Sequence, residues 1–180
     1  ASNPDTIGDM VLRQPLYAAL IQAGHELMLV VRPTVAPLVP YVAPGAKLVT
    51  LPFEVYRDDL PLNWEKFDEL FKEARAFAPE LLLVAPFRWT LFEEKLADEV
   101  PNVVRYGMSG RLYAGNPHAG RPPVSRLRLD VVAQVEEDQL EVDKYAALAA
   151  EVIGAPLQLT RPRLDPDPHC IEQAKATLER

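Results

Sequence analysis

Near the start of the chain, in "NPDTIGDMVLRQPLYAALIQAGHE", a Gly8-Asp9 pair stands where a loop turns into an amphipathic helix. An aspartate in a first helical turn accepts from free backbone N–H groups and complements the helix dipole, worth about 1 kcal/mol. The same carboxylate, carried on a strand-to-helix loop, lies at the carboxyl end of a sheet, where open α/β folds place their ligands. There it can take a proton from an incoming hydroxyl, an effect on the order of 10² to 10⁴ in rate. These residues alone leave both readings of Asp9 open.

A second candidate runs from Pro101 to Leu129, "PNVVRYGMSGRLYAGNPHAGRPPVSRLRL". It holds Arg105, Arg111, Arg121, Arg126 and Arg128 and no acidic residue. Guanidinium forks match carboxylate and phosphate oxygens, so this is either an anion-binding loop or a solvated one. Its glycines and Pro122-Pro123 predict a long surface excursion, the kind of loop that often carries function. Asp165-Pro166-Asp167 has the D-x-D spacing of metal-dependent sugar transferases, but its proline-rich setting reads as a turn. His118, and His169 beside Cys170, lack the company of a metal site, and His25 reads as a helix-to-strand junction. Neither G-x-G-x-x-G nor G-x-x-x-x-G-K-[ST] occurs, so the first loop is no dinucleotide or P-loop cradle. No metal site and no cofactor are expected.

The chain that must position these groups has 180 residues, enough for one α/β domain that buries about 70% of its unfolded surface. A formal charge of −7 argues against a nucleic-acid binder, which needs clustered Lys and Arg. A single cysteine excludes an internal disulfide framework and fits a reducing compartment. The longest apolar stretch, "LMLVV", has the length of a strand, and neither a membrane span nor a signal peptide is evident. A cytoplasmic protein is expected.

Eighteen prolines, mostly at element edges, punctuate an alternating pattern. Apolar positions at Val11, Leu12, Leu16, Ala19, Leu20 and Ala23 predict a helix closed by Gly24, with Pro15 either kinking it or marking a first turn. "HELMLVVRP" predicts a strand buried on both faces. A short helix over 34–42 and a strand in "AKLVTLP" follow. "NWEKFDELFKEARAF" predicts a helix capped by Asn63, and "ELLLVAP" a strand. "TLFEEKLADEV" predicts a helix starting at Thr90 or a neighbour, and "NVVRYG" a strand. "RLRLDVVAQV" reads as extended, and "EEDQLEVDKYAALAAEVIG" as a long helix ended by Gly154. Such alternation implies parallel βαβ units, a Rossmann-like, mostly parallel sheet flanked by helices.

Both ends read as unfinished. The helix at Gly8-Asp9 should follow a strand, yet only "ASNPDTI" precedes it, which suggests a first strand that is trimmed or absent. At the other end, a proline-rich linker and the first turns of a helix over 158–180 lead towards a second domain, leaving 1–157 as one domain.

"DTIGDMVLRQPLYAAL", "AGHELMLVVRP", "VVRYGMSGRLYAG" and "VDKYAALAAEVIGAP" together, in this order, resemble glycosyltransferase family 9, the family of ADP-heptose:lipopolysaccharide heptosyltransferases. The likeness covers most of the chain as the amino-terminal half of a GT-B fold, and "IGD-x-V-x-x-x-P" is its most specific element. The resemblance implies an inverting, metal-independent transfer from a nucleotide-diphospho sugar, with the family's proposed general base falling on Asp9. It implies that the donor sits mainly on the carboxyl-terminal domain, which these residues lack, so the chain alone should not turn over. The acceptor would sit on this half, at Gly8 and at Arg105, Arg111, Arg121 and Arg126 if it is an anionic glycan or a lipid-linked core. Peripheral contact with the cytoplasmic face of the inner membrane would follow. The alternatives are a stand-alone binding module in which Asp9 is only a cap, and a lobe of a sugar-nucleotide epimerase.

Overall fold

A computed structural model of the protein describes residues 2–3, 6–52, 64–86, 88–109, 111–112 and 127–163. Ser2–Asn3 forms β1, a two-residue strand lying parallel between two longer ones. The strand expected to be missing ahead of Asp9 is therefore present in part. It carries no apolar run of its own and is recruited by the neighbours that pair with it.

The helical stripe breaks at Arg13 into α1 (Ile7–Leu12) and α2 (Gln14–Gln22). Pro15 is the cause: it has no N–H to donate, and it occupies the second position of α2, where no intrahelical donor is needed. Gly24, at φ 92°, ends α2. His25 N–H donates to the Leu20 carbonyl and Gly24 N–H to that of Ile21, the paired bonds of a Schellman cap.

β2 (Met28–Val31) is buried along its whole length. A 3-10 turn at Ala36–Leu38 and α3 (Val39–Val42) lead to β3 (Lys47–Thr50). The next helix starts later than its pattern predicts: Trp64–Phe67 is a 3-10 turn and α4 spans Asp68–Phe77. Asn63, the expected cap, lies outside the described residues. β4 (Leu81–Val84), β5 (Arg88–Trp89), α5 (Leu91–Glu99), β6 (Val104–Met108) and β7 (Arg111–Leu112) follow. Among the described residues of the extended segment expected over 126–135, only Val131–Ala133 is strand, β8. α6 (Glu141–Ile153) ends at Gly154, φ 75°.

The main sheet is wholly parallel, in the order β3-β2-β1-β4-β6-β8, while β5 and β7 pair as a separate parallel ribbon. Setting that ribbon aside, this is the doubly wound order of a Rossmann-like domain. One core joins Leu16, Tyr17, Leu20 and Val39 to Tyr145 and Leu148, so α2, α3 and α6 cover one face. The other core joins Phe67, Phe71, Phe92 and Leu96, so α4 and α5 cover the opposite face. Arg13, only 2% exposed, ties the α1–α2 break to α6 through its Nε–H, which donates to the Tyr145 hydroxyl at 3.0 Å.

Candidate functional site at the switch in strand order

In a doubly wound sheet, ligands bind outside the carboxyl ends of the strands at the point where the order reverses. Here that point lies between β1 and β4. The chain leaves β1 into α1 and leaves β4, after β5, into α5, so two helix amino-termini border the switch.

Asp9 stands in the first turn of α1, half-buried. Its Oδ2 accepts from Thr6 N–H at 2.9 Å and from the Thr6 hydroxyl at 2.7 Å. The capping role foreseen for Asp9 is thus real, with Thr6 as the residue capped. Both bonds fall on one oxygen. Oδ1 accepts no hydrogen bond among the described residues, so the capping bonds orient the carboxylate and leave one acceptor available. Gly8 is exposed beside it, and a Cβ there would meet only the Thr6 hydroxyl, at 3.8 Å.

The same motif recurs across the switch. Thr90 caps α5, where its hydroxyl accepts from Phe92 N–H at 3.2 Å. Both the N–H and the hydroxyl of Thr90 donate to Glu93 Oε2, each at 2.6 Å. Glu93 is fully buried, in contrast to Asp9. Thr90 is legible in the sequence as a helix start, whereas the roles of Glu93 and Thr6 emerge only in the structure. Their signal was the shared spacing, Thr6-x-x-Asp9 and Thr90-x-x-Glu93, which is that of a capping box.

Of the candidate arginines, Arg105 and the backbone of Arg111 fall within the described residues. Arg105 sits at the second position of β6, opposite Leu82 and below the carboxyl edge. Its Nη2 donates to the Ala97 carbonyl in the last turn of α5, and its backbone N–H donates to Asp130. The structure therefore gives Arg105 a helix-end partner and does not place it with Asp9. Arg111 lies in β7, in register with Arg88 of β5, a pairing that two-residue strands leave invisible in sequence. Arg121 and Arg126 lie outside the described residues, as do His118, Asp165, Asp167, His169 and Cys170. Among the described residues no group of three His, Cys, Asp or Glu side chains is placed to hold a metal ion.

The segment after α6 also bears on the site. Leu157 and Leu159 pack on the α2–α6 core, and Arg163 N–H donates to Gln14 Oε1 at 3.1 Å. The chain thus crosses back from the end of α6 to the start of α2, five residues beyond Asp9, and residues after Arg163 start from there. Residues 164–180, expected as linker and helix start, are outside the described residues.

Sheet order and the first helical turn together define an α/β domain of Rossmann-like type with a carboxylate at the carboxyl edge of its sheet. No family model, curated protein or solved structure matches the chain. No helix among the described residues is long and apolar enough to cross a membrane.

Proposed function

We propose that this chain is the acceptor-side half of an inverting glycosyltransferase of family 9 type, with Asp9 as general base. The observation that carries the reading is the placement of Asp9: at the switch in strand order, held through Oδ2 by Thr6, with no hydrogen bond to Oδ1 among the described residues. In the proposed step the acceptor hydroxyl gives its proton to Oδ1 as its oxygen bonds to the anomeric carbon. The bond from that carbon to the nucleotide diphosphate breaks on the opposite face, and the donor is held mainly by a second domain. The return of the chain to Gln14 supports this arrangement, because polypeptide continuing from Arg163 starts on the Asp9 side of the domain. The acceptor is an anionic glycan or lipid-linked glycan, met by Arg111, Arg121 and Arg126.

In the complete two-domain enzyme, Asp9→Ala should lower kcat by roughly 10² to 10⁴ with donor affinity nearly unchanged. Turnover comparable to the parent would remove Asp9 from the base role. Neutralising Arg111, Arg121 and Arg126 together should raise KM for an anionic acceptor more than for a neutral one. Equal effects on both acceptors would assign the loop to solvent.

The capping bonds themselves favour a second reading, a binding module in which Asp9 only closes α1. In that case Asp9→Asn changes stability alone and leaves partner affinity where it was.

A further inference from the structure

Three strands of the main sheet release the chain into an arginine at the edge that carries Asp9. β2 ends at Val31, and the next residue is Arg32, half-buried. β4 ends at Val84 and leads, four residues on, to Arg88 at the start of β5. β6 ends at Met108 and leads, three residues on, to Arg111 at the start of β7. The order β2-β1-β4-β6 sets these exits on both sides of the exit of β1, which leads to Asp9. Arg32 and Arg88 stand in stretches that give no sign of a site in the sequence, because only strand order brings them to one edge.

The register makes the juxtaposition costly. β5 and β7 pair in parallel with Arg88 directly opposite Arg111. Paired strands lie about 4.8 Å apart, and like charges directly opposite each other destabilise the pair. Against that cost the ribbon sets only its second register pair, Trp89 with Leu112, and so small a ribbon is marginal by itself. A counter-charge shared by both arginines turns the cost into a gain. Arg32 adds a third cation beyond β1: β2 and β4 each lie one strand spacing from β1, so their exits are about 10 Å apart. A phosphomonoester carries roughly two negative charges and three acceptor oxygens, which suits several guanidinium groups better than the single charge of a carboxylate.

We propose that Arg32, Arg88 and Arg111 form a phosphate-binding site at the carboxyl edge, whose ligand is a phosphomonoester carried by the acceptor sugar. That the phosphate belongs to the acceptor rests on the reading of Asp9 as base, whereas the site itself does not. A phosphate held there anchors the acceptor by a group other than its reacting hydroxyl, and so leaves that hydroxyl to Asp9.

The test titrates this chain with inorganic phosphate, glucose 6-phosphate and ADP at constant ionic strength, followed by amide chemical shifts and melting temperature. Phosphate should shift the amides of Arg32, Arg88 and Arg111, and glucose 6-phosphate should bind at least as tightly. Arg32→Gln and Arg88→Gln should each weaken glucose 6-phosphate by roughly tenfold or more, and Arg32→Lys should recover part of that loss. Lys72→Gln, which removes the same charge from an exposed position on α4, should stay within about twofold of the parent. If Arg32→Gln does not fold, Arg32→Lys and Arg88→Gln carry the comparison. Three outcomes overturn the proposal. Absence of phosphate binding assigns the Arg88–Arg111 pair to an internal counter-charge such as Glu94, buried in the first turn of α5. Equal losses in Lys72→Gln reduce the effect to net charge. Tighter binding of ADP with the same sensitivity to Arg32 and Arg88 moves the site to the donor. No turnover is measured, so a fully active Asp9→Ala enzyme would remove the base and leave these outcomes as they are.

Discussion

The two Thr-x-x-acid motifs are chemically alike and differ in burial, which makes them a matched pair for mutation. Thr90→Ala removes the hydroxyl bond to Glu93 and the bond from Phe92 N–H, while the backbone bond from Thr90 N–H to Glu93 remains. Glu93 is fully buried, so the donor it loses cannot be replaced by water. Leaving a buried acceptor short of a donor costs about 1 to 3 kcal/mol and losing the cap about 1 more, for a total cost of about 3 kcal/mol. Thr6→Ala removes the equivalent hydroxyl bond to Asp9 on an exposed surface, where water substitutes, and should cost about 1 kcal/mol or less. Urea denaturation resolves the two, and in melting temperature the gap is about 4 to 8 °C for a chain of this size. Thr90→Ser keeps the oxygen and should stay within about 0.5 kcal/mol of the parent. Equal losses for Thr6→Ala and Thr90→Ala would refute the reasoning, because burial would then not govern the strength of these bonds.

Two further outcomes are expected. Gly24→Ala places a side chain at φ 92° with no atom within 4 Å of the new Cβ, so backbone strain acts alone. It should destabilise by about 1 to 2 kcal/mol in urea titration, and a neutral result would remove the left-handed cap from the account of α2. The Glu99 carboxyl is held below its ordinary value near 4.5, first by its hydrogen bond to Lys95 and, against the opposing effect of burial, by the charges of Lys95 and Arg75. A lowered folded-state pKa gives stabilisation that is complete above the ordinary value and is lost as pH falls below it through the folded value. Glu99→Gln should therefore flatten stability below about pH 4.5 and leave the slope unchanged at neutral pH, as pH-dependent melting curves would record.

What the sequence determined by itself was local. Alternating apolar runs and helical stripes placed β2, β3, β4, β6, α4, α5 and α6, because a buried parallel strand and an amphipathic helix each need a distinct periodicity. Gly24 and Gly154 ended their helices where a left-handed residue was required, and Thr90 started α5 where free N–H groups needed an acceptor. Asp9 stood out on the same grounds, as a carboxylate in a first turn. Only the tertiary structure decided the rest. β1 and the β5–β7 ribbon are two-residue pieces with no periodicity to read, and partners distant in the chain make them strands. The contact of Arg105 Nη2 with the Ala97 carbonyl likewise exists only because the fold brings the end of α5 beside β6. The position of Asp9 at the reversal of strand order depends on which strand pairs with which. That choice comes from burying two helical layers on one sheet, and no short window of residues contains it.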